Sequence, residues 1–535
     1  MPKHHPRVIV FGIDGGTWDA ILPLIQKGQL PCFQQLLESS TWGKLQSTIP
    51  PSSFPAWTTA ITGVNPGKHG ITDFTRRISG QDKLIFLNSR HCGVPTIFDI
   101  LSQRGRKVAS LGIPATSPPD PINGISIGGF DCPVAVSAAR NMVYPPLLAT
   151  ELFGKFGDYP YGSISEFRIT KNWYAKAREI LLKNIEKREN IFYWLWEQED
   201  WDLFWMIFPE TDTASHHFWA LHDPRSPRHD PELAKHFGDT LSEIYKHLDK
   251  VLSNFLNLLK DDDFLIVMSD HGFGGADTIE IYLNLWLQQE GYLTFSNNKR
   301  EKVKNGNLVQ RLLEILPDRL PQWLFRQNPH LMGSLESHRR FIGIDWKNTV
   351  AFSEESNSFP GIWLRLDGRD FEGSVPLSER DQLLNEIQMK LLTWVNPLTN
   401  RPVMKQVWRR EDIFDGPYLS FIPDLVLEPA LINGYSPNIA SSNRAMTDNP
   451  IQTIPPVHYR GGKGLGFSGT HRNQGIFLAY GADSPTGEIS EVNLADITPT
   501  ILNFMGETIP EWMEGAVLEC ASRACALYAE AMLQH

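Results

Sequence analysis

The sequence predicts an α/β protein: a doubly wound, mostly parallel central sheet with helices on both faces, plus helical insertions or a cap. Three observations carry this. Apolar runs of strand length recur along the chain (RVIVFGI, WDLFWMIF, FLIVM, GIFLAYG). Between them lie stretches with apolar residues at helical spacing, the alternation expected of βαβ units. Finally, Asp and His residues fall just past the ends of several runs, and in open α/β sheets ligands collect outside the carboxyl ends of the strands.

Residues 1–140 read as the first part of the core, with RVIVFGI, the helical WDAILPLIQKGQLPCFQQLLESS and the later IFDILSQRGRKVASLGIP. Residues 141–200 turn irregular and then helical, ending in KNWYAKAREILLKNIEKRENIFYWLWEQED, which reads as an inserted or covering helix. The core resumes over 201–295 through WDLFWMIF, the helix DTLSEIYKHLDKVLSNFLNLLK and the strand in DDDFLIVMSDHG. At 296–344 the composition shifts to basic and polar with helical stretches, so this part reads as an insertion or cap. Strand patterns return over 345–515 at VAFSEE, GIWLRLDG, PDLVLEP and GIFLAYG, a third part of the core with a small subdomain. An alanine-rich amphipathic helix is predicted at 516–535.

With 535 residues, 41% of them hydrophobic and 21% charged, the chain falls among globular proteins with a sizeable core. A net charge of −11 argues against a general nucleic-acid or anionic-membrane binder, which presents a basic surface. Five cysteines (Cys32, Cys92, Cys132, Cys520, Cys525), odd in number and without a CxxC pair, read as buried thiols in a reducing compartment. No apolar stretch reaches the roughly 18 to 20 residues that span a bilayer, and no secretion signal is evident. The expectation is a cytoplasmic protein; oligomeric state is not legible.

Six side chains of metal-ligand type lie past strand ends: Asp14 in VIVFGIDGG, Asp212 and His216 in FPETDTASHHFW, Asp270 and His271 in FLIVMSDHGF, and His471 in GFSGTHRNQG. Asp212 and His216 stand at i and i+4, on one face of a helix. Asp270 and His271 are adjacent, and a turn after the strand, made easy by Gly272, can aim both into one crevice. Three carboxylates and three imidazoles suit two divalent ions such as zinc. Ser53, in TIPPSSFPAWTTAITG, supplies a nucleophile at the start of a helix, where a phosphate also sits well; Ser52 is the neighbouring alternative.

In this order the pieces resemble the alkaline phosphatase superfamily, nearest its type I phosphodiesterase and nucleotide pyrophosphatase branch. The resemblance rests on the strand followed by Asp14, SSFPAWTTAITGVNPGKHGI, D-x-x-x-H at Asp212 and His216, SDHGF, GTH at His471 and DITPTIL. It implies one metal held by Asp212, His216 and His471 and another by Asp14, Asp270 and His271, with Ser53 as a transiently phosphorylated nucleophile. In that family the ions are zinc, or sometimes manganese, about 4 Å apart. The implied substrate is a small phosphorylated molecule: a phosphodiester, phosphomonoester or nucleotide anhydride.

Two departures modify the expectation. Branch members end HGI-x-D-N with an Asn that binds the phosphate, whereas this chain reads HGITDF and presents Phe74; sulfatases require an Arg where this chain has Trp57. Lys68, His69, Arg76, Arg77 and Arg472 are the residues placed to replace the missing donor, and Trp57 and Trp219 to line the pocket. A phosphomutase or phosphotransferase, or a non-catalytic protein binding a phosphorylated ligand, remains an alternative on the same scaffold.

Overall fold

The computed structural model describes residues 6–78, 83–130, 137–162, 164, 169–296, 326, 328–356, 358–459, 466–481 and 484–521. Nine strands make the central sheet: β1 (Val8–Ile13), β2 (Thr41–Gln46), β3 (Val108–Leu111), β4 (Gly124–Ile127), β5 (Val143–Tyr144), β6 (Leu203–Phe208), β7 (Phe264–Met268), β8 (Gln474–Tyr480) and β9 (Gly487–Asn493). Their order is β9-β2-β8-β7-β1-β6-β3-β4-β5. The five neighbours β7, β1, β6, β3 and β4 are parallel, while β8 runs antiparallel to β7 and β2, and β5 to β4. The fold is therefore the mixed α/β architecture that the sequence predicts.

Every residue of β1, β6 and β7 is buried. Helices cover both faces of a parallel sheet, so its strands read as unbroken apolar runs rather than alternating ones. Along β1 the two faces separate cleanly: Ile9, Phe11 and Ile13 enter one core and Val8 and Val10 the other.

Five helices position the site or its surroundings: α1 (Ser53–Thr62), α2 (Lys171–Trp196), α3 (Glu210–His222), α4 (Thr240–Leu256) and α5 (Pro329–Phe341). Pro55 sits in the first turn of α1, where a missing N–H costs nothing, and Gly63 closes the helix at φ 72°. In the segment 141–200, read as an inserted or covering helix, α2 covers one face of the sheet. β5 closes one edge of the sheet, and Leu181, Ile185 and Phe192 of α2 share a core with Phe11 and with Leu248 of α4.

A second sheet of four antiparallel strands (Ala351–Phe352, Gly361–Leu364, Leu425–Pro429, Met404–Arg409) has its own core around Trp286, Trp363 and Ile387. Most of the predicted cap at 296–344, and residues 522–535 of the helix predicted at 516–535, lie outside the described residues; of the cap, α5 is the described helix, and of the predicted C-terminal helix residues 516–518 are irregular and Glu519–Ala521 form one short 3-10 turn. Among the described residues no helix is long and apolar enough to cross a membrane.

One buried ion pair ties α2 to α3: Arg188 Nε donates to Glu210 Oε1 at 3.0 Å, with both side chains 1% exposed or less. Glu210 lies two residues before Asp212, so the pair fixes the turn that presents that carboxylate. Removing one partner strands the other charge. Arg188→Met is expected to cost about 3–5 kcal/mol of unfolding free energy in guanidinium titrations at pH 8, and Arg188→Met/Glu210→Met to recover most of it. The single-variant loss should shrink toward pH 5: burial already holds the Glu210 carboxyl above its usual range despite Arg188, and without that partner it takes up a proton as the pH falls. A loss independent of pH would contradict this account.

Candidate metal centre

Three adjacent parallel strands deliver most of the site. Asp14 follows β1, α3 with Asp212 and His216 follows β6, and Asp270 and His271 follow β7. Because β6 and β7 flank β1 in parallel, their carboxyl ends lie at one edge of the sheet. His471 comes from the strand Gly469–Arg472, antiparallel to Gly272–Ile281 with His471 opposite Phe273. Ser53 is the first residue of α1. Two glycines permit the approach. Gly15 adopts φ 66° with the Asp212 Cα just 3.2 Å from where its Cβ would be, and a Cβ on Gly272 would lie 1.9 Å from the Gln474 carbonyl oxygen.

All six groups and the hydroxyl meet. Ser53 Oγ lies 3.3 Å from His271 Nε2 and 3.5 Å from Asp14 Oδ1. His271 Nε2 is 3.2 Å from Asp270 Oδ2 and 3.7 Å from Asp14 Oδ1. Asp212 Oδ1 is 3.2 Å from His471 Nε2 and 3.4 Å from His216 Nε2. Potential ligand atoms cluster as Asp212, His216 and His471 and as Asp14, Asp212 and His271, so Asp212 stands between the two sets. Ser52, the alternative hydroxyl, is buried, with no hydrogen-bond partner for its Oγ among the described residues.

The donor inventory decides what this cluster accepts. In each histidine Nδ1 faces a backbone carbonyl: Gly469 for His216 at 3.0 Å, Gly272 for His271 at 3.1 Å and Pro51 for His471 at 3.1 Å. Assigned from these partners, the ring proton sits on Nδ1 and the Nε2 lone pair points inward. His216 Nε2 and His471 Nε2 then face each other at 3.1 Å. Two lone pairs at that distance repel unless a cation lies between or beside them. With the ring protons on Nδ1, Asp212 Oδ1 and Asp270 Oδ2 are buried without a hydrogen-bond donor among the described residues. A set of acceptors lacking donors, made of imidazole nitrogen and carboxylate oxygen, fits divalent ions of the zinc type.

Electrostatics agree. Burial, with the Asp270 and Asp212 charges, holds the Asp14 carboxyl well above its usual range. Burial pushes Asp270 up to about 7, against the pull of the Gly15 N–H. It also depresses His216 to about 4 and His271 well below the imidazole range. Burial works the same way on His471, but the adjacent Asp212 outweighs it and raises the ring. Asp212 itself is held low because His216 and His471 overcome its burial. Without an ion, protons thus occupy part of the space a cation would take.

Of the expected phosphate contacts Arg472 borders the cavity, and the others are engaged elsewhere. Lys68 ion-pairs with Glu514 and, at 3.3 Å, Asp415. His69 is fully buried, with Nε2 3.0 Å from Thr59 Oγ1 and Nδ1 accepting from the Ile71 N–H, so it braces α1 instead of meeting substrate. Arg76 packs over the Phe421 ring at 4.3 Å, and Arg77 pairs with Asp370 at 2.9 Å. Trp57 is fully buried and donates from Nε1 to Asp14 Oδ2 at 3.2 Å; it orients that carboxylate and does not line the pocket. Trp219 likewise packs on Phe273. Other supports had no sequence signal: Thr211 Oγ1 donates to the Asp14 carbonyl, and Phe467 stacks on His216 with centroids 4.2 Å apart.

The cluster opens on a cavity of about 1450 Å³ between the central sheet and the four-stranded sheet, bordered by Asp14, Ser53, Asp212 and His471 on one side and Met404 and Trp408 on the other.

The chain matches the family model for type I phosphodiesterase / nucleotide pyrophosphatase over residues 8–431, so His471 comes from beyond the matched segment. No curated protein matches it in sequence. Among solved structures it is similar to human ectonucleotide pyrophosphatase / phosphodiesterase 5, with 14% identity over 95% of this chain and 97% of that one and a TM-score of 0.47. It is also similar to the murine protein of that name as an inactive variant in complex with AMP, with 13% identity over 96% and 97% and a TM-score of 0.47.

Metal uptake should depend on pH in a defined direction. Asp270 is raised to about 7, so below that pH an ion must displace its proton, and affinity falls as pH falls. Calorimetric zinc titrations in buffers of differing ionisation enthalpy are expected to show proton release at pH 6 and tighter binding at pH 8. Affinity independent of pH without proton release would count against the assignment.

Proposed function

Because the chain belongs to the type I phosphodiesterase / nucleotide pyrophosphatase family, we propose that it cleaves a phosphodiester or phosphoanhydride through a covalent intermediate on Ser53 at a two-metal site. One observation carries the reading: a hydroxyl stands 3.3 Å from one and 3.5 Å from another of the inward-facing acceptor atoms. Asp212, His216 and His471 would hold one ion, and Asp14, Asp270 and His271 the other, with Asp212 near enough to serve both. Bound there, divalent ions lower the pKa of a nearby hydroxyl and neutralise charge on the phosphoryl oxygens.

The chain's own residues do the rest. α1 aims its positive end at the incoming phosphate, with Ser53 as its first residue and first-turn N–H groups free of intrahelical partners. Ser53 Oγ attacks phosphorus in line, the bond to the leaving oxygen breaks, and a phosphoryl ester on Ser53 results. Water then cleaves the phosphorus–Oγ bond and restores the hydroxyl. Trp57 and the Gly15 N–H hold Asp14 and Asp270 in place, and the backbone carbonyls at each Nδ1 fix the three rings.

Lys68, Arg76 and Arg77 are engaged elsewhere, and Phe74 offers no donor beside Ser53. The family match favours the diesterase reading.

Ser53→Ala is expected to lower turnover of bis(4-nitrophenyl) phosphate by about a thousandfold or more while zinc stoichiometry stays the same. Acid quench of a labelled diester should leave label on the peptide containing Ser53. Undiminished turnover in Ser53→Ala, or label on Ser52, would remove Ser53 from its role.

A further inference from the structure

Arg472 follows His471 and borders the same cavity. Its guanidinium rests against the strand Gly272–Ile281 at Gly274, where a Cβ would come within 2.6 Å of Nε and 2.8 Å of Cζ, so glycine is what leaves room for it. Nη2 donates to the Gly275 carbonyl at 3.0 Å and the Gly434 carbonyl at 3.2 Å, and Nη1 donates to Ser436 Oγ. Every one of these acceptors is neutral.

Among the described residues no carboxylate makes an ion pair with Arg472, and Asp19 acts on it only from a distance. The arginines Arg77, Arg188 and Arg369, by contrast, each meet a carboxylate, from Asp370, Glu210 and Asp424. Arg228 is also held by carbonyls, those of Asp277 and Phe467, but it does not border the cavity. A partly buried cation without a counter-charge is costly, and an arriving anion relieves that cost while gaining a charge-assisted hydrogen bond. The cavity has room for a two-ended ligand: about 1450 Å³, against the roughly 300–1,000 Å³ of most small-ligand sites.

We propose that Arg472 is the specificity-determining contact for a second anionic group, phosphate or carboxylate, on the same substrate whose phosphoryl group meets Ser53. This rests on the phosphoryl-transfer reading above and narrows its substrate class to molecules with an anion at each end. The guanidinium is already positioned by its four neighbours, so it loses little freedom on binding.

The test uses three 4-nitrophenyl phosphodiesters that differ in the other ester arm: ethyl, 2-carboxyethyl and 2-phosphonoethyl. Their equilibrium binding to zinc-loaded Ser53→Ala protein is measured by calorimetry, which separates affinity from turnover. One or both charged arms are expected to bind about 10- to 100-fold tighter than the ethyl arm, and which one does so identifies the anion. Adding Arg472→Met should bring the three affinities to within about threefold, whereas Arg472→Lys, which keeps the charge and loses the fork, should keep part of the preference. An ethyl ester that binds as tightly as both charged ones, or a preference that survives Arg472→Met, overturns the assignment to Arg472. Failure of all three esters to bind overturns the phosphoryl site itself and the inference with it.

Discussion

The constraint on which the site depends is the meeting of His216 Nε2 and His471 Nε2 at 3.1 Å with both Nδ1 atoms committed to backbone carbonyls. Each ring presents a lone pair to the other, and Asp212 adds a carboxylate oxygen to the same space. A proton on the His471 ring, which the adjacent Asp212 raises, relieves part of this repulsion. The packed scaffold holds these acceptors there, and the donor set is one that a divalent cation would fit.

That rigidity comes from β7, β1 and β6, buried throughout and locked in parallel register. Asp14 leaves β1 and accepts from Trp57 of α1, so the helix that presents Ser53 is tied to the strand that presents the carboxylate. The Arg188–Glu210 pair does the same for α3 from the opposite side of the sheet. The site is thus assembled from distant segments, each held by packing and then fixed by one or two polar contacts.

The parallel core and Asp14, Asp212, His216, Asp270 and His271 were legible because they obey local rules: unbroken apolar runs mark strands buried on both faces, and polar groups just past them mark the edge where ligands collect; His471 instead lies within its own short strand ahead of β8, and Ser53 opens a helix. The surroundings were not. Lys68 and Arg76 look like phosphate contacts in NPGKHGITDFTRR, but Glu514 and Phe421, which claim them, lie hundreds of positions away and carry no mark of it. Trp57 was expected in the pocket because it is near Ser53 in sequence; one turn of helix carries it beneath Asp14. The strand β5 left no mark in the sequence because it is only two residues long, too short to show an alternating pattern. Arg472 was visible as a charge beside His471, yet that no carboxylate among the described residues pairs with it is a property of the folded surroundings alone.

The most direct test is diffraction from zinc-loaded crystals with data collected at the zinc absorption edge. The account predicts two anomalous peaks about 4 Å apart, enclosed by Asp14, Asp212, His216, Asp270, His271 and His471, with Ser53 Oγ facing both. No peak at this cluster, or zinc bound only at other surface histidines, would contradict it.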